Sequence, residues 1–397
     1  MLLRKNQAAL TVGERAAYVN AVLALKNSVP SQMGLAGRYD DYVQMHMDSM
    51  MANPGWAHGR PAFLPWHREF LRRFELDLQA VDPTVTLPYW DWTVDQAANG
   101  PTTDIPWTSE FMGGDGDPAQ DSQVTDGPFA FAAGQWTLNV VMAPDPNYLQ
   151  RSLGDPNGPS GGTLPTPANV QGALTVVPYD QASWDRRPQP SFRNRLEGWY
   201  GAGSIHNRVH LWVGGTMTGM CSPNDPIFFL HHANVDRLWA QWQRSHADLT
   251  YAPPDASTAS LAGQRLDDPM QPFGEGFTPS ALLDHLALGY QYDDEPAAPA
   301  QPAHHVFLPA IREGAAAPSV GRERPAAMPG MAVPMFDLSP EDKAAGGHNP
   351  GMDADEARAV AAAAGARPAS PRGRPAPALG LSPEDKAAGG HDPGPGR

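Results

Sequence analysis

Cysteine is almost missing from this chain: Cys221 is the only one in 397 residues. No disulfide can form within the chain, so its cysteine content leaves the redox compartment open. Positive charge is also scarce, with 28 Lys and Arg against 43 Asp and Glu and a formal net charge of -15. Affinity for a phosphate backbone is built from Lys and Arg, so nucleic acid is not an expected partner. No apolar run is long enough to cross a bilayer, and a membrane is not an expected partner either. The N-terminal M-L-L-R-K-N-Q-A-A-L lacks the uninterrupted apolar stretch of a signal peptide. A cytoplasmic protein is the expectation; export in company with a partner protein would leave no mark here.

Aromatic residues are nearly missing from the last quarter. All eleven Trp and all ten Tyr lie at or before Tyr292, and beyond Glu295 only Phe307 and Phe336 remain among many Pro, Ala and Gly. Large apolar side chains are what offset chain entropy, so such a stretch builds no core. The expected division is a globular unit, 1–295, and a low-complexity tail, 296–397. The tail repeats itself: L-S-P-E-D-K-A-A-G-G-H-N-P-G runs from Leu338 to Gly351, and L-S-P-E-D-K-A-A-G-G-H-D-P-G from Leu381 to Gly394. Each copy has a Ser N-cap, a Pro at the first helical position and acids in the first turn. Two copies are too few for a solenoid. The tail reads as mostly disordered, or as a docking segment whose Phe307, Met331, Met335 or Phe336 enters a pocket.

What is present before residue 295 is mainly helical. Thr11 and Glu14 form a capping box ahead of a first helix through Lys26. A second runs through R-Y-D-D-Y-V-Q-M-H-M-D-S-M-M. Pro65 is expected to open a third, on which Trp66, Phe70, Phe74 and Leu78 recur at four-residue steps. S-F-R-N-R-L-E-G-W-Y-G-A-G-S-I-H-N-R-V-H is broken by glycines and then resumes. Asp225 is expected to cap, and Pro226 to start, a helix lined by Phe228, Val235, Trp239 and Trp242. Residues 95 to 195, rich in Gly, Pro, Asp and Ser, read as long surface loops.

Six histidines fall into two sets. His206 and His210 stand four residues apart, which puts both imidazoles on one helix face. His232 follows in F-F-L-H-H-A-N-V-D-R-L-W. Upstream lie His46, His58 and His67. A single histidine on an apolar helix face is ordinarily a satisfied core residue. Several unrelated buried imidazoles would each need their own partner, whereas two shared metals satisfy them together. Neutral imidazoles without thiolate or carboxylate suit two copper ions better than zinc or magnesium, which argues against a dinuclear zinc hydrolase. Periodicity does not choose between His231 and His232. Asp236, four residues beyond His232, is within reach to orient that ring. Met45, Met47, Met50 and Met51 around His46 read as core packing, and Cys221 as a small apolar filler.

The segments H-G-R-P-A-F-L-P-W-H-R-E-F, L-P-Y-W-D-W, L-E-G-W, H-N-R-V-H-L-W-V-G-G and S-P-N-D-P-I-F-F-L-H-H-A-N-V-D-R-L-W, in this order, resemble the bacterial tyrosinases of the type-3 copper family. The resemblance covers residues 1 to 295 and leaves out the tail. It implies a four-helix bundle housing a dinuclear copper centre, with O2 as co-substrate and small phenols as substrates. His46, His58 and His67 match the ligands of one copper, and His206, His210 and His232 those of the other. Glu197 and Asn207 match the pair to which tyrosinases' water-assisted deprotonation of phenols is attributed. Their joint presence implies ortho-hydroxylation of monophenols as well as oxidation of o-diphenols. The rival readings are a catechol oxidase, an o-aminophenol oxidase and a dioxygen carrier. No cysteine lies between His46 and His67, so the thioether link of many fungal and molluscan relatives cannot form. Leu211, after His210, reads as an apolar wall. A copper-delivery protein is a further expected partner.

Overall fold

The computed structural model describes residues 1–52, 55–95, 105–201, 204–253 and 261–296, and all structural statements below concern these. Seven α-helices dominate: α1 Val12–Asn27, α2 Arg38–Met51, α3 Phe63–Val81, α4 Pro167–Leu174, α5 Phe192–Glu197, α6 His206–Val213 and α7 Ile227–Ser245. Two small sheets accompany them. β1 (Leu2–Arg4) pairs in parallel with β4 (Tyr290–Tyr292), and β2 (Gly116–Asp117) pairs antiparallel with β3 (Gln123–Val124). No helix is long and apolar enough to cross a membrane.

Helix starts follow local chemistry. Thr11 and Glu14 close the expected capping box on α1. Ser191 caps α5 through the Asn194 N–H, and Gly198 ends it in the left-handed conformation at φ 116°. Two expected starts shift. α3 begins at Phe63, two residues ahead of Pro65. Proline is tolerated there because the first N–H groups of a helix have no intrahelical partner. α7 begins at Ile227, with Pro226 in the cap position, while Asp225 Oδ1 accepts the Ile227 N–H at 3.2 Å.

The core is an aromatic seam between α2, α3 and α7. Tyr39, Tyr42, Phe70, Phe74 and Phe229 are fully buried, with Phe74 and Phe229 stacked at 3.6 Å between ring centroids. α3 packs on both α7 and α1, and α6 on α7. This places the histidine-bearing faces of α2, α3, α6 and α7 around one interior space, the expected helical bundle.

Residues 105 to 195 have little regular structure, as expected, but they are more than surface. Trp107, Phe111, Met112, Phe129, Trp136 and Leu149 are buried. Buried Arg151 binds the Asp225 carboxylate with two N–H groups at 2.7 and 2.8 Å, and its third nitrogen donates to the carbonyls of Met112, Gly113 and Gly114. Apolar residues without a 2- or 3.6-residue period escape pattern reading, and so this second layer did. α4 was missed as well, although Thr166, Pro167 and Asn169 spell a capping box.

The expected boundary near 295 lies close after β4, where Glu295 pairs with Arg244 and His285. The tail with its duplicated segment, Phe307, Met331, Met335 and Phe336 lies outside the described residues.

Candidate metal centre

Two clusters of imidazoles meet inside the bundle. In the first, His46 from α2, His58 from the segment before α3 and His67 from α3 offer ring nitrogens within 4.8 Å of one another. In the second, the same holds for His206, His210, His231 and His232. The clusters adjoin: the rings of His67 and His232 stack at 4.3 Å and 20°, and His58 lies 6.2 Å from His206. Phe63 and Phe228 wall the space, with Phe228 stacked on His232 at 4.0 Å.

Backbone carbonyls set the tautomers. A carbonyl only accepts, so a ring nitrogen facing one carries the proton. His46 Nδ1 donates to the Met220 carbonyl, His67 Nδ1 to Phe63 and His210 Nδ1 to Met217, each at 2.8 Å. His206 Nδ1 faces two oxygens, Asn207 Oδ1 at 2.9 Å and the Glu197 carbonyl at 3.3 Å. In each of these rings Nε2 therefore carries the lone pair.

The second cluster can hold a cation. Nε2 of His206, His210 and His232 form a triangle with sides of 3.1, 3.2 and 3.3 Å. Its corners lie about 1.85 Å from its centre, close to the metal–imidazole distance of about 2.0 Å. Burial pushes the His232 pKa well down, and the neighbouring imidazoles push the same way, so this ring stays neutral. Neutral rings bearing lone pairs toward one point repel each other unless a cation sits between them.

His231 is the fourth imidazole of that cluster, one more than the sequence led us to expect. Its ring stacks on His206 at 5.1 Å and 19°. Its Nδ1 accepts the indole N–H of Trp92 at 3.1 Å. In the neutral ring the proton then sits on Nε2, and neither nitrogen has a lone pair left for a metal. The Trp92 bond is a difference in chemistry between His231 and His232 that periodicity could not show.

The expected role of Asp236 does not hold. Its Oδ1 accepts from Arg68 at 2.6 Å, and its Oδ2 from Tyr290 and Tyr292 at 2.6 Å each and from Arg4 at 3.3 Å. Four residues along a helix put it near His232, but two buried guanidiniums outcompete an imidazole for a carboxylate.

Glu197 is fully buried, and both of its side-chain oxygens are engaged. Oε1 accepts the Gly59 N–H at 2.6 Å, and Oε2 accepts from Arg193 at 3.1 Å. Burial raises its pKa; the Arg193 guanidinium and the Gly59 N–H pull the other way without cancelling the rise. Arg193 is itself held by Asp180 at 2.8 Å. The i,i+4 pair with Arg193 was legible in the sequence, whereas the bond to Gly59, 138 residues away, was not. Asn207 lies against Gly198, where a Cβ would come within 3.1 Å of the amide. Cys221 is buried with its thiol 3.5 Å from Met47 Sδ, and burial pushes its pKa up to about 12, as an apolar filler requires.

The family model for the common central domain of tyrosinase matches residues 36–245. A tyrosinase from Streptomyces glaucescens is 44% identical over 299 residues, covering 74% of this chain and the whole of the relative. This chain belongs to the tyrosinase family. A tyrosinase from Streptomyces antibioticus is 44% identical over 289 residues, or 72% of this chain and 97% of the relative. Grixazone synthase from Streptomyces griseus is 38% identical over 324 residues, or 73% of this chain and 99% of the relative. Among solved structures, a polyphenol oxidase from Thermothelomyces thermophila shares the fold, with a TM-score of 0.50 and 24% identity over 72% of this chain and 86% of that one. The family's cofactor is a pair of copper ions used with O2, and the chain is a copper-dependent oxidase of phenols.

Proposed function

We propose that His46, His58 and His67 hold one copper and His206, His210 and His232 the other, and that the enzyme both ortho-hydroxylates monophenols and oxidises o-diphenols to o-quinones. The observation that carries this reading is the meeting of the two histidine clusters beside buried Glu197. The copper pair, when bound, supplies O2 activation and accepts the phenol's electrons.

The chain's own residues supply the proton chemistry. A phenol has a pKa of about 10, so at neutral pH it needs a base before it can be oxidised. Glu197 is that base in our reading. Its raised pKa narrows the gap to the phenol, and the N–H groups of Gly59, Arg193 and Trp199 take three of the about four acceptor positions of a carboxylate, which leaves one for a phenol proton or a water. Asn207 gives its Oδ1 to His206, which leaves Nδ2 to hold a water beside the same imidazole. Phe63 and Phe228 line the space with apolar faces, and half-buried Leu211 adds an uncharged wall, which suits small neutral phenols. A copper-delivering protein partner and a cytoplasmic location remain part of this proposal.

The test is oxygen consumption by copper-loaded protein with a monophenol and with its catechol. Glu197→Gln and Asn207→Asp are expected to lower monophenol turnover about 100-fold, the low end of what a positioned base contributes. Catechol turnover should change by less than about 5-fold, since a catechol ionises more readily than a monophenol. Equal losses on both substrates would remove the assignment of base and water-holder.

A further inference from the structure

Five of the six proposed ligands stand on helices, which fix their side chains through their own backbone. His58 alone stands in an irregular segment, residues 55–62, between α2 and α3. Such a segment has to be fixed from outside if its imidazole is to hold a metal.

One side chain spans the segment. Gln264 is buried, and its amide reaches both ends of the loop. Its Oε1 accepts the Ala62 N–H at 2.9 Å, and its Nε2 donates to the Trp56 carbonyl at 3.0 Å. Gln264 is held in turn. Its own carbonyl accepts the Tyr251 hydroxyl at 2.6 Å, and its N–H donates to the Leu261 carbonyl at 2.9 Å. Between the two clamped ends, the Gly59 N–H meets Glu197, and the Pro61 carbonyl accepts the Tyr179 hydroxyl at 2.7 Å. Gln264 lies beyond residue 245, where the family match ends.

We infer that Gln264 is a positioning residue for His58, and that retention of the first copper depends on it. The inference rests on the proposed reading of His58 as a ligand. The effect is selective because the bonds of Gln264 go to the loop of the first cluster and not to α6 or α7. Partners that orient a metal ligand are typically worth 10- to 100-fold in metal affinity.

The experiment uses the full-length copper-loaded enzyme and measures copper per chain against time in excess chelator, with thermal melting alongside. Gln264→Met keeps the volume and loses both bonds. Gln264→Glu keeps the acceptor for Ala62 and loses the donor to Trp56, and it carries the test alone if the Met variant does not fold. One copper is expected to leave about 10-fold faster or more from Gln264→Met, with Gln264→Glu in between, while the other leaves at the wild-type rate. His58→Ala should retain one copper, and adding Gln264→Met to it should not speed release of that one. Wild-type release of both coppers from the Gln264 variants, with one copper in His58→Ala, would overturn the inference and spare the ligand reading. Faster release of both together would make Gln264 merely structural and overturn it too. Two coppers retained by His58→Ala would sink the ligand reading itself.

Discussion

Replacing His232 by alanine is expected to leave about one copper per chain and to cut turnover of monophenols and catechols alike by about 1,000-fold or more. Replacing His231 by phenylalanine, one position earlier, is expected to leave two. Both rings are buried and both belong to the second cluster. Their difference is the proton. The indole N–H of Trp92 occupies His231 Nδ1, which puts that ring's proton on Nε2, whereas His232 Nε2 closes the triangle with His206 and His210. Losing one corner of a three-imidazole site removes the metal, and a metal's charge stabilisation is worth several kcal/mol of barrier, hence the thousand-fold figure. His231→Phe keeps the stack on His206 but leaves the Trp92 N–H unpaired in the core. That costs about 1–3 kcal/mol, to be read in thermal melting rather than in copper content. Atomic absorption on the two purified variants decides the matter, and one copper in His231→Phe would reverse the assignment.

The second large effect concerns stability. Asp236→Asn should lower the stability of the folded protein by about 3–5 kcal/mol, because it strips the charge that two buried guanidiniums share. For a folded unit of this size that is a fall in melting temperature of about 5–8 °C. The carboxylate ties β1, through Arg4, to α3, through Arg68, and to β4, through Tyr290 and Tyr292. Burial alone would raise the Asp236 pKa, but Arg68, Arg4 and the two hydroxyls outweigh it and hold it below the usual carboxylate range. The folded pKa is thus depressed, so this stabilisation is present above the ordinary Asp pKa of about 3.9. It is lost as pH falls through the lower folded value. Melting temperature followed from pH 7 down to pH 3 should fall for the wild type and run flatter for Asp236→Asn. Copper release from the folded variant at low temperature should match the wild type, since no bond joins this carboxylate to His232. Faster release would restore the orienting role that the sequence suggested.

Much of the centre was legible beforehand. The i,i+4 spacing of His206 and His210 needs only the helical repeat. The i−4 carbonyl of Phe63, which fixes His67, follows from the same repeat. The carbonyls of Met217 and Met220 have no sequence signal, because every residue carries one. Nor could any periodicity show Trp92 meeting His231 across 139 positions.

Local rules set what each segment could become. Apolar side chains at helical steps along α3 and α7, the capping box at Thr11 and the breaks at the glycines around α5 are short-range chemistry, and residue order encodes it directly. The imidazole inventory, without thiolate or carboxylate, likewise excluded magnesium and calcium and suited copper. Tertiary structure decided the rest: that Asp236 serves a buried charge network and not a metal ligand, that Glu197 reaches the loop of His58, and that irregular residues 105–195 contribute a buried layer. Those outcomes depend on competition among partners far apart in the chain. A hydrogen bond is won by the strongest donor that the fold brings within 3 Å, and only the packed molecule sets which donors those are.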